Sequence, residues 1–139
     1  MTIYPLRLKP GEDLKVALQD FARQGRIHAG WILSGIGSLT QANIRFANAQ
    51  NGILRQGYFE IICLSGTLSV NGIHLHITIA NEQGQLEGGH LLDGNLIYTT
   101  AEVIIGASED HIFSREYDPL SGFKELRVSS NKNPKIPDF

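Results

Sequence analysis

The sequence predicts an α+β domain in which one main helix packs on a strongly curved, mostly antiparallel β-sheet. Three observations carry that expectation. Only the stretch from Leu14 to Ala22 repeats its apolar residues at helical spacing. From Ala29 onward, apolar runs of strand length alternate with turn signals. The 15 glycines fall between those runs rather than in a block, as tight turns between strands require. With 139 residues, 42% of them hydrophobic, the chain forms one domain and buries a core without staples.

Each element has its own signal. Ile3 to Leu8 reads as a short strand stopped by Pro10-Gly11, and Glu12-Asp13 opens the helix. Leu14, Ala17, Leu18, Phe21 and Ala22 form its core stripe, and Gly25 follows its end. Trp31 to Ile36 is an apolar strand bounded by glycines, and Ala42 to Phe46 alternates as a second. Gln50-Asn-Gly52 is a turn. Tyr58 to Val70 is rich in β-formers, Asn71-Gly72 is the strongest hairpin signal, and Ile73 to Ala80 is the partner strand. Asn81 to Gly89 is polar and glycine-rich and reads as a connection. Leu96 to Ala107, Ile112 to Tyr117 and Glu125 to Val128 complete the strands. The domain is placed at 1–128, with a polar, Pro-bearing tail at 129–139.

One helix cannot cover both faces of six or more strands. The uncovered face must be solvated, curl into a barrel, or pack on another subunit. Trp31 to Ile36 and Val103 to Ile105 are apolar on both faces, which favours a homo-oligomer. The lone Cys63, within Phe59 to Leu64, reads as a buried, inert thiol and excludes an internal disulfide. No apolar run is long enough to cross a bilayer and no signal peptide is evident, so no membrane partner and a cytoplasmic location are expected. Net charge is −2 and the basic residues are scattered, which argues against strong non-specific binding to a phosphate backbone.

The chemistry-bearing pattern is His74-Leu-His76 followed by Gly88-Gly-His90. Residues two apart on a strand share a face, with Cα atoms roughly 6.5–7 Å apart, so His74 and His76 point the same way. A return of the chain brings His90 beside them. Three imidazoles suit Zn²⁺ and leave a fourth position open. The alternative is three histidines that face solvent or hydrogen-bond within a sheet. Glu60, Glu102 and Asp93 are the carboxylates available to such a site; the alternative for Glu60, and the favoured reading for Glu102, is a solvent-facing or salt-bridged position on the sheet face. Tyr98, Thr99 and Thr100 line the same cleft or are ordinary strand residues. Ser34, Ser38 and Ser65 lie in no nucleophile elbow, and Gly35-Ile-Gly37 lacks the rest of a dinucleotide fingerprint. His28 and His111 fit surface or capping roles.

Seven short motifs occur in order: Pro10-Gly-Glu-Asp-Leu14, Ile36-Gly-Ser-Leu39, Gly57-Tyr-Phe-Glu-Ile61, Leu64-Ser-Gly-Thr-Leu68, His74-Leu-His76, Gly88-Gly-His-Leu91 and Tyr98-Thr-Thr-Ala-Glu102. Together they resemble the PPC ("plants and prokaryotes conserved") domain, from about Leu6 to Leu126, in its stand-alone prokaryotic form. The resemblance implies a curved antiparallel sheet, a homotrimer, and a zinc ion on His74, His76 and His90. It also implies a DNA-binding or regulatory role, since plant members carry AT-hooks. This chain holds no Arg-Gly-Arg-Pro core, so minor-groove recognition does not carry over. Tyr58 stands where the plant motif has arginine, so the partner contact made there is not transferred either.

Three functions are consistent with these features: a regulatory trimer acting with DNA or a protein partner, a binding module presenting a metal-lined pocket to a small molecule, and a zinc-dependent hydrolase or lyase. Glu60, Tyr98, Thr99 and Glu102 are expected to surround the His74, His76 and His90 centre.

Overall fold

Residues 1–131 are described by a computed structural model. Its first strand, β1 (Thr2–Leu8), pairs only with the sixth, β6 (Leu96–Ala107), and so forms a sheet edge where Pro5 is tolerated. The helix α1 (Leu14–Gln24) starts at Asp13, whose carboxylate accepts from the backbone N–H groups of Lys15 and Val16 at 3.0 and 3.2 Å. Leu14, Leu18 and Ala22 are its buried stripe. Burying a leucine completely is worth about 1.5–3 kcal/mol, so this stripe seats the helix on the sheet.

The remaining strands are β2 (Gly30–Arg45), β3 (Ile53–Ser69), β4 (Gly72–Ala80), β5 (Leu86–Leu91), β7 (His111–Asp118) and β8 (Phe123–Ser130). The main sheet runs β1-β6-β2-β3-β4-β5, and β5 also pairs with β2. One edge of β2 is shared: β6 follows it as far as Gln41, and β5 takes over at Ile44 and Arg45. The ring β2-β3-β4-β5 is thereby closed, which is how the expected curvature is realised. Its inward residues, among them Leu39, Ile44, Leu64, Leu75, Ile77, Ile79 and Leu91, form the core with Leu14, Leu18 and Ile97. β7 and β8 make a separate hairpin, hung on the main sheet by Ser69 and Asn71, which both donate to the Phe113 carbonyl at 3.1 and 2.9 Å.

Four expectations need correction. The stretch from 86 to 89, taken as connection, belongs to β5, because strand β5 is wedged between two neighbours. A Cβ at Gly89 would lie 2.5 Å from the Arg45 carbonyl oxygen, and one at Gly88 2.6 Å from that of Ile77. Trp31 to Ile36 and Ala42 to Phe46 are not two strands: β2 continues through Gly37 with register shifts instead of a turn. β3 starts five residues before Tyr58, at Ile53. Cys63 is exposed, not buried. The register shift between Ile61 and Cys63 breaks the alternation, so Ile62 and Cys63 both face outward between inward Ile61 and Leu64.

β8 extends two residues beyond Val128, to Ser130; the rest of the expected tail, from 132 on, lies outside the described residues. Among the described residues no helix is long and apolar enough to cross a membrane.

Candidate metal centre

His74 and His76 stand on the outer face of β4, alternating with the buried Leu75 and Ile77. On β5, His90 is the direct cross-strand partner of His76. Two local features let the rings meet. Before His90, Gly88 allows β5 to approach β4 and Gly89 allows it to approach β2, and Gly66, with φ +131°, lets β3 pass close to the His74 carbonyl. One ring nitrogen from each histidine lies within 4.8 Å of the others. The Nε2 atoms of His74 and His76 are 3.2 Å apart, and ring centroids are 4.9 to 5.7 Å apart.

The β7–β8 hairpin folds over this cluster. Arg115 of β7 reaches down from it: one guanidinium nitrogen donates to Thr67 Oγ1 at 2.6 Å, and another lies 3.4 Å from His74 Nδ1. Between hairpin and sheet runs a cleft of about 850 Å³, lined by all three histidines and by Arg45, Arg115, Lys124 and Glu125. Burial, then Arg115 and His76, hold His74 below its ordinary pKa. Burial, then His74 and Arg45, pull His90 down to about 4. At neutral pH these rings therefore keep a free lone pair, the form a metal requires.

The pocket residues expected from sequence lie elsewhere in the fold. Glu60, Tyr98 and Glu102 are exposed on the outer face of β3 and β6, where Tyr98 packs on Tyr58 with centroids 4.7 Å apart. The Glu60 position is five residues along β3 from Ser65, which pairs with His76; that is roughly 16 Å at strand rise. Thr99 hydrogen-bonds to Ser38, Thr100 accepts from Arg7, and Asp93 pairs with Lys15 at 2.9 Å. None of them lines the histidine cleft. His111 bonds Ser108, and His28 is exposed. Sequence reasoning missed Arg45, Thr67, Arg115 and Glu125. Only Thr67 had a readable signal, since the Asn71-Gly72 hairpin sets it opposite His74. Arg115 and Glu125 arrive through a fold-over that no local pattern encodes.

A ring-closed α+β sheet with three imidazoles under an arginine-bearing hairpin defines an α+β domain with a candidate metal cleft. The chain belongs to the Plants and Prokaryotes Conserved (PCC) domain family, whose pattern it matches over residues 1–109. It is 48% identical over 128 residues to the "Bifunctional protein GlmU" of two Synechococcus strains, covering 92% of this chain. The chain spans only about a fifth of the length of those relatives. Among solved structures, a hypothetical protein from Salmonella cholerae-suis superposes with TM-score 0.91 at 38% identity, covering 94% of each chain. A Bacteroides thetaiotaomicron protein, provisionally named DNA-binding, gives 0.80 at 26% identity, covering 89% of this chain and 90% of its own. A protein from Archaeoglobus fulgidus named as metal-containing gives 0.74 at 25% identity, covering 91% and 93%.

Proposed function

We propose that this PCC-domain chain is a homotrimeric binding module whose His74, His76 and His90 hold one Zn²⁺ at the floor of a small-molecule cleft. The convergence of three ring nitrogens within 4.8 Å is the observation that carries this reading. The donor set fits zinc, which takes imidazole nitrogens and in three-ligand sites leaves a position open. The Archaeoglobus neighbour, named as metal-containing, supports a metal at the fold without fixing its identity. When bound, zinc would supply Lewis acidity and a water of lowered pKa. The protein's own contribution is to orient the rings through strand pairing and to cover them with the hairpin.

Trimer formation is supported by the outer sheet face. Leu33, Ile36, Tyr58, Ile62 and Tyr98 are each about half exposed there. Such an apolar face on a soluble domain marks an association surface. Glu60 and Glu102 border it and would lie at the subunit boundary. The free thiol of Cys63 fits a reducing cytoplasm, the proposed location.

A zinc-dependent hydrolase or lyase is the second reading, favoured by Glu125, a carboxylate in the same cleft that acts electrostatically on His74. DNA binding, the activity in the Bacteroides neighbour's name, is the third. A thermal titration separates the first reading from its absence: one equivalent of Zn²⁺ raises the Tm of metal-free protein, and His90→Ala abolishes the rise. No rise in wild type contradicts the site. Turnover of ester or amide substrates lost with Glu125→Gln would favour the second reading, and a salt-dependent mobility shift of duplex DNA the third.

A further inference from the structure

We propose that the cleft beside the three histidines binds the oxyanion group of a small molecule, a carboxylate or a phosphate, through Arg115 and Arg45. The proposal deepens the zinc reading and rests on it only for the anion's contact with the metal. Arg115 is half-buried, yet among the described residues no carboxylate lies within 4 Å of its guanidinium. Two exposed arginines are paired, Arg55 with Glu87 at 3.3 Å and Arg127 with Glu116 at 3.1 Å. Among the described residues, the two arginines that line the cleft, Arg115 and Arg45, are both half-buried and both lack a carboxylate within 4 Å. Taking a cation partly out of water without a partner is costly. Burial accordingly pulls the Arg115 pKa below its ordinary value, against the pull of the more distant Glu125.

The donors available match an oxyanion. A guanidinium presents five N–H groups in a planar fork; Arg115 commits one nitrogen to Thr67 and sets a second 3.4 Å from His74 Nδ1, which leaves further N–H groups for a ligand. Arg45, on the opposite wall, gives one hydrogen bond to the Ala49 carbonyl at 3.3 Å and has no carboxylate within 4 Å among the described residues. With Lys124, the cleft carries three cations against the single carboxylate of Glu125, although the whole chain is net −2. Phe46, Ile73 and Phe123 give the same cleft an apolar wall for a carbon skeleton. Its volume, about 850 Å³, falls within the range of small-molecule sites. A bare organic cation is excluded by the same charge count.

The test titrates inorganic phosphate, malonate and neutral malonamide into zinc-loaded and zinc-free protein at fixed ionic strength, read by calorimetry. Zinc content is measured on the same samples. The expected result is saturable binding of phosphate or malonate at one per chain, none of malonamide, and at least tenfold weaker binding in Arg115→Gln with zinc content unchanged. Which anion binds more tightly names the source of the oxyanion. Arg115→Lys should recover part of the loss, and Arg45→Gln provides an independent variant should Arg115→Gln fold poorly. No saturable binding of either anion, or equal binding in wild type and the arginine variants, overturns the proposal and leaves the zinc site standing if zinc is bound. Arginine-dependent anion binding to a chain that takes up no zinc upholds the proposal and removes the zinc reading.

Discussion

His90 shows most clearly what the local environment does to a side chain. Its pKa, near 4, lies well below the 6.5 of an unfolded histidine, so the unfolded chain takes up a proton first as pH falls. Stability contributed by the neutral ring is complete above pH 6.5 and is lost as pH falls through the window from about 6.5 to 4. His74 is shifted the same way and adds to that slope. Metal-free protein should therefore show a Tm that declines across this window, and His90→Gln should flatten the decline. An unchanged slope in the variant would mean that the ring titrates normally. The same feature bears on function: besides burial, Arg45 disfavours a proton on His74 and His90, and Arg115 on His74, while the ring lone pairs stay available.

At the scale of the element, β5 decides whether a site exists, and Asn95 holds the chain where β5 gives way to β6. The Asn95 side chain is fully buried, accepts from the Asn43 N–H at 3.0 Å, and donates to the carbonyls of Asn43 and Leu92 at 3.0 and 2.6 Å. Asn95→Ala leaves those backbone groups unpaired and should cost about 2–3 kcal/mol in chemical denaturation. A loss below about 0.5 kcal/mol would show that water replaces the amide. The sequence was informative where physics is local. Period-two alternation places His74 and His76 on one face, and Asn71-Gly72 places their hairpin. It was uninformative where packing is non-local. Leu86 to Leu91 lacks β-branched residues because its glycines answer to neighbours on both sides, and the bulge that turns Cys63 outward leaves no mark in its apolar run.

The whole molecule poses a different question, since one helix covers only part of the sheet. Leu33, Ile36 and Ile62 owe their exposure to the same outer face, two of them at register shifts that put consecutive residues outside. If three copies bury that face, sedimentation equilibrium should give three times the chain mass of 15.3 kDa, and Ile36→Glu/Ile62→Lys should yield folded monomers. A monomeric wild type at micromolar concentration would contradict the trimer. The centre at His74, His76 and His90 belongs to one protomer, so it should bind zinc even in the dissociated variant.

In the proposed function these three histidines form a metal centre. Its most direct test is zinc per chain by elemental analysis of untagged protein, beside a His74→Ala/His76→Ala control. Wild type should hold close to one zinc per chain and the control essentially none. Wild-type protein that stays metal-free after incubation with Zn²⁺, or a control that retains the same content, would contradict it.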